Sequence, residues 1–162
     1  MTDFESDFGG DFKLNVFHNT LDNMEHVALV KGRITPDAAT IVRVHRVDFL
    51  ADVTGQSGGR SDLVKRCLER IASFDEPGVM VFVRMGGNAN IAARLGGVDP
   101  SRPDESSMIM REYGVGAQML KDLGVRKMIL LSNHKPSELP GLDGHGLSVE
   151  GWRPIDGDQA ND

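Results

Sequence analysis

The chain has 162 residues and sets 24 acidic against 18 basic side chains, for a formal net charge of −6, with 40% hydrophobic and 26% charged residues. That length and balance predict one globular domain with a real core. They argue against a general nucleic-acid or anionic-membrane binder while leaving room for a local basic pocket that holds a phosphate, and no apolar run nears the roughly 20 residues of a membrane span.

In chain order, residues 1–11 read as a flexible acidic lead-in. Its "MTDFESDFGG" lacks the basic-then-apolar order of a signal peptide, so a cytoplasmic protein is expected. "FKLNVFH" sets Phe12, Leu14 and Val16 against Lys13, Asn15 and Phe17, the alternation of a half-buried strand. A turn through "NTLDNMEH" leads to the strand "HVALVKG", and the two predict a hairpin. "TIVRVHRVDF" is the next strand, with Ile41, Arg43 and His45 on one face and Val42 and Val44 on the other. After the polar, glycine-rich "TGQSGGRSD", Ser61 or Asp62 caps a helix whose apolar face carries Val64, Cys67, Leu68 and Ile71. Cys67 is the chain's single cysteine, so an intramolecular disulfide or a multi-cysteine zinc site within one chain is excluded. It reads as a buried structural thiol.

"GVMVFVR", bounded by Pro77-Gly78 and Met85-Gly86-Gly87, is a continuous apolar run suited to a strand buried on both faces. "NANIAARLGG" predicts a short helix, "VDPSRPDES" a loop, and residues 107–123 a helix loosened at Gly114 and Gly116. "RKMILLS" and "LSVEGWRPI" are the last strands, and residues 156–162 a disordered tail. Strands fill the first half, and helices alternate with strands in the second. The fold class is therefore mixed α/β (α+β): a single domain over residues 12–155 with a mixed sheet flanked by helices.

The segments "EHVALVKG", "VRVH", "GVMVFVR", "REYGVGAQMLKDLGV", "MILLSN" and "LPGLDGHGLSVEGWRPI" together resemble the GTP cyclohydrolase II family, in the family's order. The lead-in "FESDFGGDFKL" is similar to the junction in bifunctional riboflavin proteins, where dihydroxybutanone phosphate synthase precedes a cyclohydrolase-like half. The chain resembles that second half, in its divergent bacterial form. The resemblance implies the family fold, a homodimer, a GTP-type nucleotide ligand with its magnesium, and a synthase or another riboflavin-pathway enzyme as partner.

It also implies chemistry that this sequence does not match residue for residue. The family opens the guanine ring with water activated on a zinc held by three thiolates, the first of which falls on Asp48 and the others within residues 57–61. No cysteine stands at any of these positions, so no zinc cofactor is expected. Asp48, Asp52 and His45 are an alternative donor set, but strand alternation sets His45 on the face opposite the two carboxylates. The family's general acid/base position is Ile109, which cannot carry a proton. Arg111 matches the arginine proposed to attack the α-phosphate, and without its partner it reads as an anion ligand or a salt-bridge partner of Glu112 or an acidic loop. Gly86 stands where a carboxylate reads guanine, and only Arg84 of that motif is retained.

Arg43, His45 and Arg46 match the start of the nucleotide-holding stretch; Ser132 matches a nucleotide-binding threonine, and Lys135 stands near the position of a family lysine, which aligns with Ser137. Arg43 equally suits a stem laid over the sheet, and Ser132 the cap of a turn. The expected function is a catalytically degenerate cyclohydrolase II-like domain with a structural or regulatory role. The alternative is a repurposed nucleotide hydrolase that releases pyrophosphate through Arg111.

Overall fold

The structure is a computed structural model that describes residues 1–20, 23–57, 62–84, 105–133 and 142–157; for residues 105–112 and 143 it describes the backbone alone. The elements are β1 (Thr2–Ser6), β2 (Gly10–Asn19), β3 (Met24–Lys31), β4 (Ala39–Arg46), α1 (Phe49–Asp52), α2 (Leu63–Ser73), β5 (Gly78–Val83), α3 (Glu105–Asp122), β6 (Lys127–Leu131), a 3-10 turn (Asp143–His145) and β7 (Ser148–Arg153). Among the described residues the strands form one seven-stranded sheet in the order β1-β2-β3-β5-β4-β6-β7. β1, β2, β3 and β5 pair antiparallel, whereas β4 pairs parallel with both β5 and β6, and β6 with β7. No described helix is long and apolar enough to cross a membrane.

The apolar run of β5 is buried at every position but Phe82, as expected for a strand covered on two faces. On one face, Leu63, Cys67, Leu68 and Ile71 of α2 pack on Phe12, Leu29, Ile41, Met80, Leu131 and Ile155. On the other, Ala117, Met119 and Leu120 of α3 join Ala28, Val30, Val42, Val79, Val81 and Val83. Alternation along β4 and β5 thus sends successive side chains to two separate cores.

Two glycines set how closely the helices approach. A Cβ on Gly78 would lie 2.4 Å from Ile71 Cγ2, so α2 rests against bare β5 backbone. A Cβ on Gly116 would lie 3.1 Å from Val44 Cγ1, so α3 sits close over β4. Gly114 and Gly116 interrupt nothing, and α3 is continuous through both. The far end of α2 is held by Lys31, whose Nζ donates to the Phe74 carbonyl and to the Ile71 carbonyl, which also accepts the Phe74 N–H at 3.4 Å. Phe74 lies between the guanidiniums of Arg70 and Arg153, each 4.6 Å from its ring centroid, and Arg153 also pairs with Glu76 at 2.6 Å.

The amino-terminal lead-in is a correction to the sequence expectation. Residues 2–6 form β1, an antiparallel edge strand with Phe4 opposite Phe12. One aromatic among acidic residues gives no period-2 signal, and the backbone ladder to β2 supplies what side-chain pattern does not. Asp62 stands at the head of α2 without a side-chain cap bond, its carboxylate taken by Arg66 Nε at 3.0 Å. Ser61 and the predicted helix in residues 88–97 lie outside the described residues, as does the predicted loop of residues 98–106 up to residue 104; its last two residues, Glu105 and Ser106, instead open α3.

Gly78→Ala is expected to destabilise the fold by about 1–3 kcal/mol through overpacking against Ile71. Urea unfolding checks this, and the penalty should shrink in an Ile71→Ala background, where the clashing methyl is gone.

Candidate functional site

β5, β4 and β6 lie side by side and parallel, and the connections leaving β4 and β5 cover opposite faces: α2 on one, α3 on the other. Such a reversal opens a crevice at the carboxyl ends of the strands, where open α/β sheets take ligands. The sequence-predicted residues gather at that end. Arg43, His45 and Arg46 are on the last half of β4, Arg84 follows β5 directly and is exposed, and Ser132 follows β6 directly and is half-buried.

Arg111 reaches the same rim through α3. That helix runs antiparallel to β4, since Gly116 lies over Val44 whereas Gly124 lies near Ile34, ahead of β4. Five residues of helix from Gly116 back to Arg111 rise about 7.5 Å, and two residues of strand from Val44 to Arg46 about 6.6 Å. The backbone of Arg111 is therefore level with Arg46 or just beyond it. Lys135, Ser137, Gly86, Gly87 and Asn88 lie outside the described residues, as does the side chain of Arg111.

The arginines of β4 diverge. Arg46 shares its face with Val42 and Val44, toward α3. Arg43 points to the α2 side, where its Nη1 donates to the Leu131 carbonyl at 3.2 Å and ties β4 to the end of β6. Its guanidinium thus serves the sheet, in keeping with the packing alternative open in the sequence.

His45 is buried at 1% exposure, and the sequence expectation about its neighbours is corrected. Its Nε2 lies 2.9 Å from Asp52 Oδ2, the carboxylate expected on the opposite face. Alternation holds only while the chain is extended. After Arg46 it bends into α1, and one helical turn carries Asp52 back over His45. Asp48 makes that turn: its Oδ1 accepts from Leu50 N at 3.1 Å and Ala51 N at 3.2 Å, and its own N–H donates to Asp52 Oδ2 at 2.8 Å. The Phe82 ring meets His45 edge-on, with centroids 6.0 Å apart.

These three residues do not make a thiolate-type zinc centre, and residues 58–61, where the resemblance sets the other two thiolate positions, lie outside the described residues. Asp48 is committed to its cap, Asp52 and His45 are bonded to each other, and among the described residues no three His, Cys, Asp or Glu side chains are placed to share a metal. Cys67 is fully buried on α2, and desolvation pushes its thiol up to about 11, so sulfur there remains protonated.

Two residues at the rim escaped the sequence reading. His26, buried on β3, accepts the Arg84 N–H on Nδ1 at 3.1 Å and fixes where the chain leaves β5. An acceptor Nδ1 means a neutral ring with its proton on Nε2. Asn133 accepts from Ile155 N at 2.9 Å and Asp156 N at 3.3 Å, and donates to Asp156 Oδ2 at 2.6 Å. Arg66 Nη1 binds the other oxygen of Asp156, which is therefore ordered, although the sequence assigns it to a disordered tail. Residues 158–162 lie outside the described residues. The Arg66 guanidinium holds the Asp156 carboxyl below its ordinary value, and Arg153 does the same for Glu76.

A separate concavity lined by Asp3, Glu5, Asp11, Phe12 and Lys13 lies on the β1–β2 hairpin, at the opposite end of the sheet. Its three carboxylates make it a poor place for an anionic ligand.

A family model described as GTP cyclohydrolase II matches residues 1–154. The monofunctional riboflavin biosynthesis protein RIBA 2 of Arabidopsis thaliana is 36% identical over 152 residues, covering 90% of this chain and 31% of that protein. The probable bifunctional riboflavin biosynthesis protein RIBA 1 of Oryza sativa subsp. japonica is 33% identical over 160 residues, covering 90% of this chain and 29% of that protein. The riboflavin biosynthesis protein RibBA of Chlorobium phaeovibrioides is 32% identical over 162 residues, with 91% of this chain and 38% of that protein covered. The chain thus spans between 29% and 38% of the length of these relatives.

Asp156 and Glu76 are held below ordinary values of 3.8 and 4.5, so the stability they lend is present above those values and lost as pH falls through and below them. The thermal midpoint is expected to drop through that window, and Asp156→Asn with Glu76→Gln to flatten the drop. Cys67 is expected to resist a thiol reagent at pH 8 in the folded protein and to react on unfolding in urea, as read by mass spectrometry.

Proposed function

The chain belongs to the GTP cyclohydrolase II family, and we propose that it is a catalytically degenerate member, keeping the family scaffold for a structural or regulatory task in riboflavin biosynthesis. The observation that carries this reading is the local engagement of Asp48. The residue matched to the first zinc thiolate caps α1 instead, and α1 in turn closes over His45 through Asp52. The single cysteine lies elsewhere, as a protonated thiol in the α2 core. Ile109 at the acid/base position offers no group to move a proton.

What the rim keeps is suited to holding an anion. Arg46, Arg84 and the Ser132 hydroxyl stand at the carboxyl ends of three adjacent strands, and α3 brings Arg111 to the same level. A triphosphate with its magnesium is the ligand chemistry such a rim favours. The relatives' names place them in riboflavin biosynthesis, and RIBA 1 of Oryza sativa is named as a probable bifunctional protein of it. Accordingly, the proposed partners are a second copy of this chain and the synthase that supplies the pathway's four-carbon unit.

A second reading rests on the height of Arg111 on α3. An arginine whose backbone stands at the level of Arg46, at the end of the sheet that also carries Arg84, supports a phosphate-binding role, which keeps pyrophosphate release open as a residual activity even where ring opening is lost.

The deciding experiment incubates the folded protein with GTP, magnesium and added zinc, and follows formate and pyrophosphate together. Neither product is expected, and Arg111→Ala should change nothing. Formate release abolished by Arg111→Ala overturns the degenerate reading. Pyrophosphate without formate establishes the second reading in its place.

A further inference from the structure

The carboxylate of Asp156 is bound as a ligand would be. Its Oδ1 takes the Nη1 donor of Arg66 and its Oδ2 the amide of Asn133 at 2.6 Å. A guanidinium and a side-chain amide are the donors that also hold a phosphoryl oxygen. The place matters as much as the chemistry. Asn133 is the second residue past β6, next to Ser132, at the rim described above. Arg66 approaches from the first turn of α2, the helix that shares one core with Leu131 and Ile155, on the face where Arg43 reaches the Leu131 carbonyl.

We propose that Asp156 is a built-in occupant of an oxyanion site formed by Arg66 and Asn133 at the carboxyl end of β6, and that a phosphoryl group of an anionic ligand displaces it. This deepens the reading of the rim as an anion-holding scaffold and rests on it. Exchange is sterically open, because the Arg66 and Asp156 side chains are 30% and 44% exposed. It also needs little rearrangement. Ile155 is buried, and its N–H bond to Asn133 Oδ1 at 2.9 Å anchors the segment whether or not the Asp156 side chain swings out. Arg66 keeps Asp62 on its Nε at 3.0 Å, so only one edge of the guanidinium changes partner. The carboxy-terminal segment thereby acts as an internal competitor, and the site binds a ligand more weakly than its donors would alone.

Calorimetric titration with inorganic triphosphate and with GTP tests this on wild type, Asp156→Asn, Asp156→Ala and Arg66→Ala, each shown to be folded by its thermal midpoint. Removing a competitor of the strength of an exposed ion pair should tighten triphosphate binding by about three- to fivefold in both Asp156 variants. Arg66→Ala should bind more weakly than wild type. Unchanged or weakened triphosphate binding in both Asp156 variants overturns the proposal. If GTP binds wild type and the Asp156 variants equally, the anion-scaffold reading stands while the competitor falls. If neither probe binds any variant, both fall together.

Discussion

β4 and β5 must be covered on both faces, because their apolar side chains alternate into two cores and their buried backbones find hydrogen-bond partners in neighbouring strands. That requirement places α2 on one side and α3 on the other, and bare backbone at Gly78 and a close fit at Gly116 make the approach possible. With crossovers on opposite faces, a crevice at the carboxyl ends of β5, β4 and β6 follows from topology. The candidate site is thus a by-product of burying two strands.

What fills that crevice is decided by local hydrogen bonding. Asp48, Asp52 and His45 form a closed group in which a carboxylate caps a one-turn helix and another receives an imidazole. Groups held this way are orientated by one another, which suits architecture. A metal centre would need their lone pairs aimed at one point. On the far side of the rim, Asn133 and Arg66 bind the chain's own Asp156, so the end of the domain is tied down by donors of the kind that hold anionic ligands. Stability and ligand chemistry share the same few groups there.

The long apolar patterns were legible. "GVMVFVR" becomes β5, the face of Val64, Cys67, Leu68 and Ile71 becomes the inner side of α2, and the β2–β3 hairpin pairs with Val16 opposite Val27. The segments resembling the cyclohydrolase family proved equally readable, since the family match runs across them. β1 was not legible, because a five-residue edge strand with one aromatic is held by its backbone ladder. The ordered Asp156 was missed for a similar reason: its partners, Arg66 and Asn133, are 90 and 23 residues away.

By itself, the sequence determined which residues alternate, which face of each helix is apolar, and which chemical groups exist at all: one cysteine, an isoleucine at position 109, arginines at 43, 46, 84 and 111. Periodicity and composition are properties of neighbours along the chain, so they survive without coordinates. Only the tertiary structure decided that His45 meets Asp52, that Arg43 turns to the Leu131 carbonyl, and that Asp156 lies between Arg66 and Asn133. Each of these contacts depends on where a strand ends and the chain bends, and a bend moves every later side chain to a place that alternation no longer predicts.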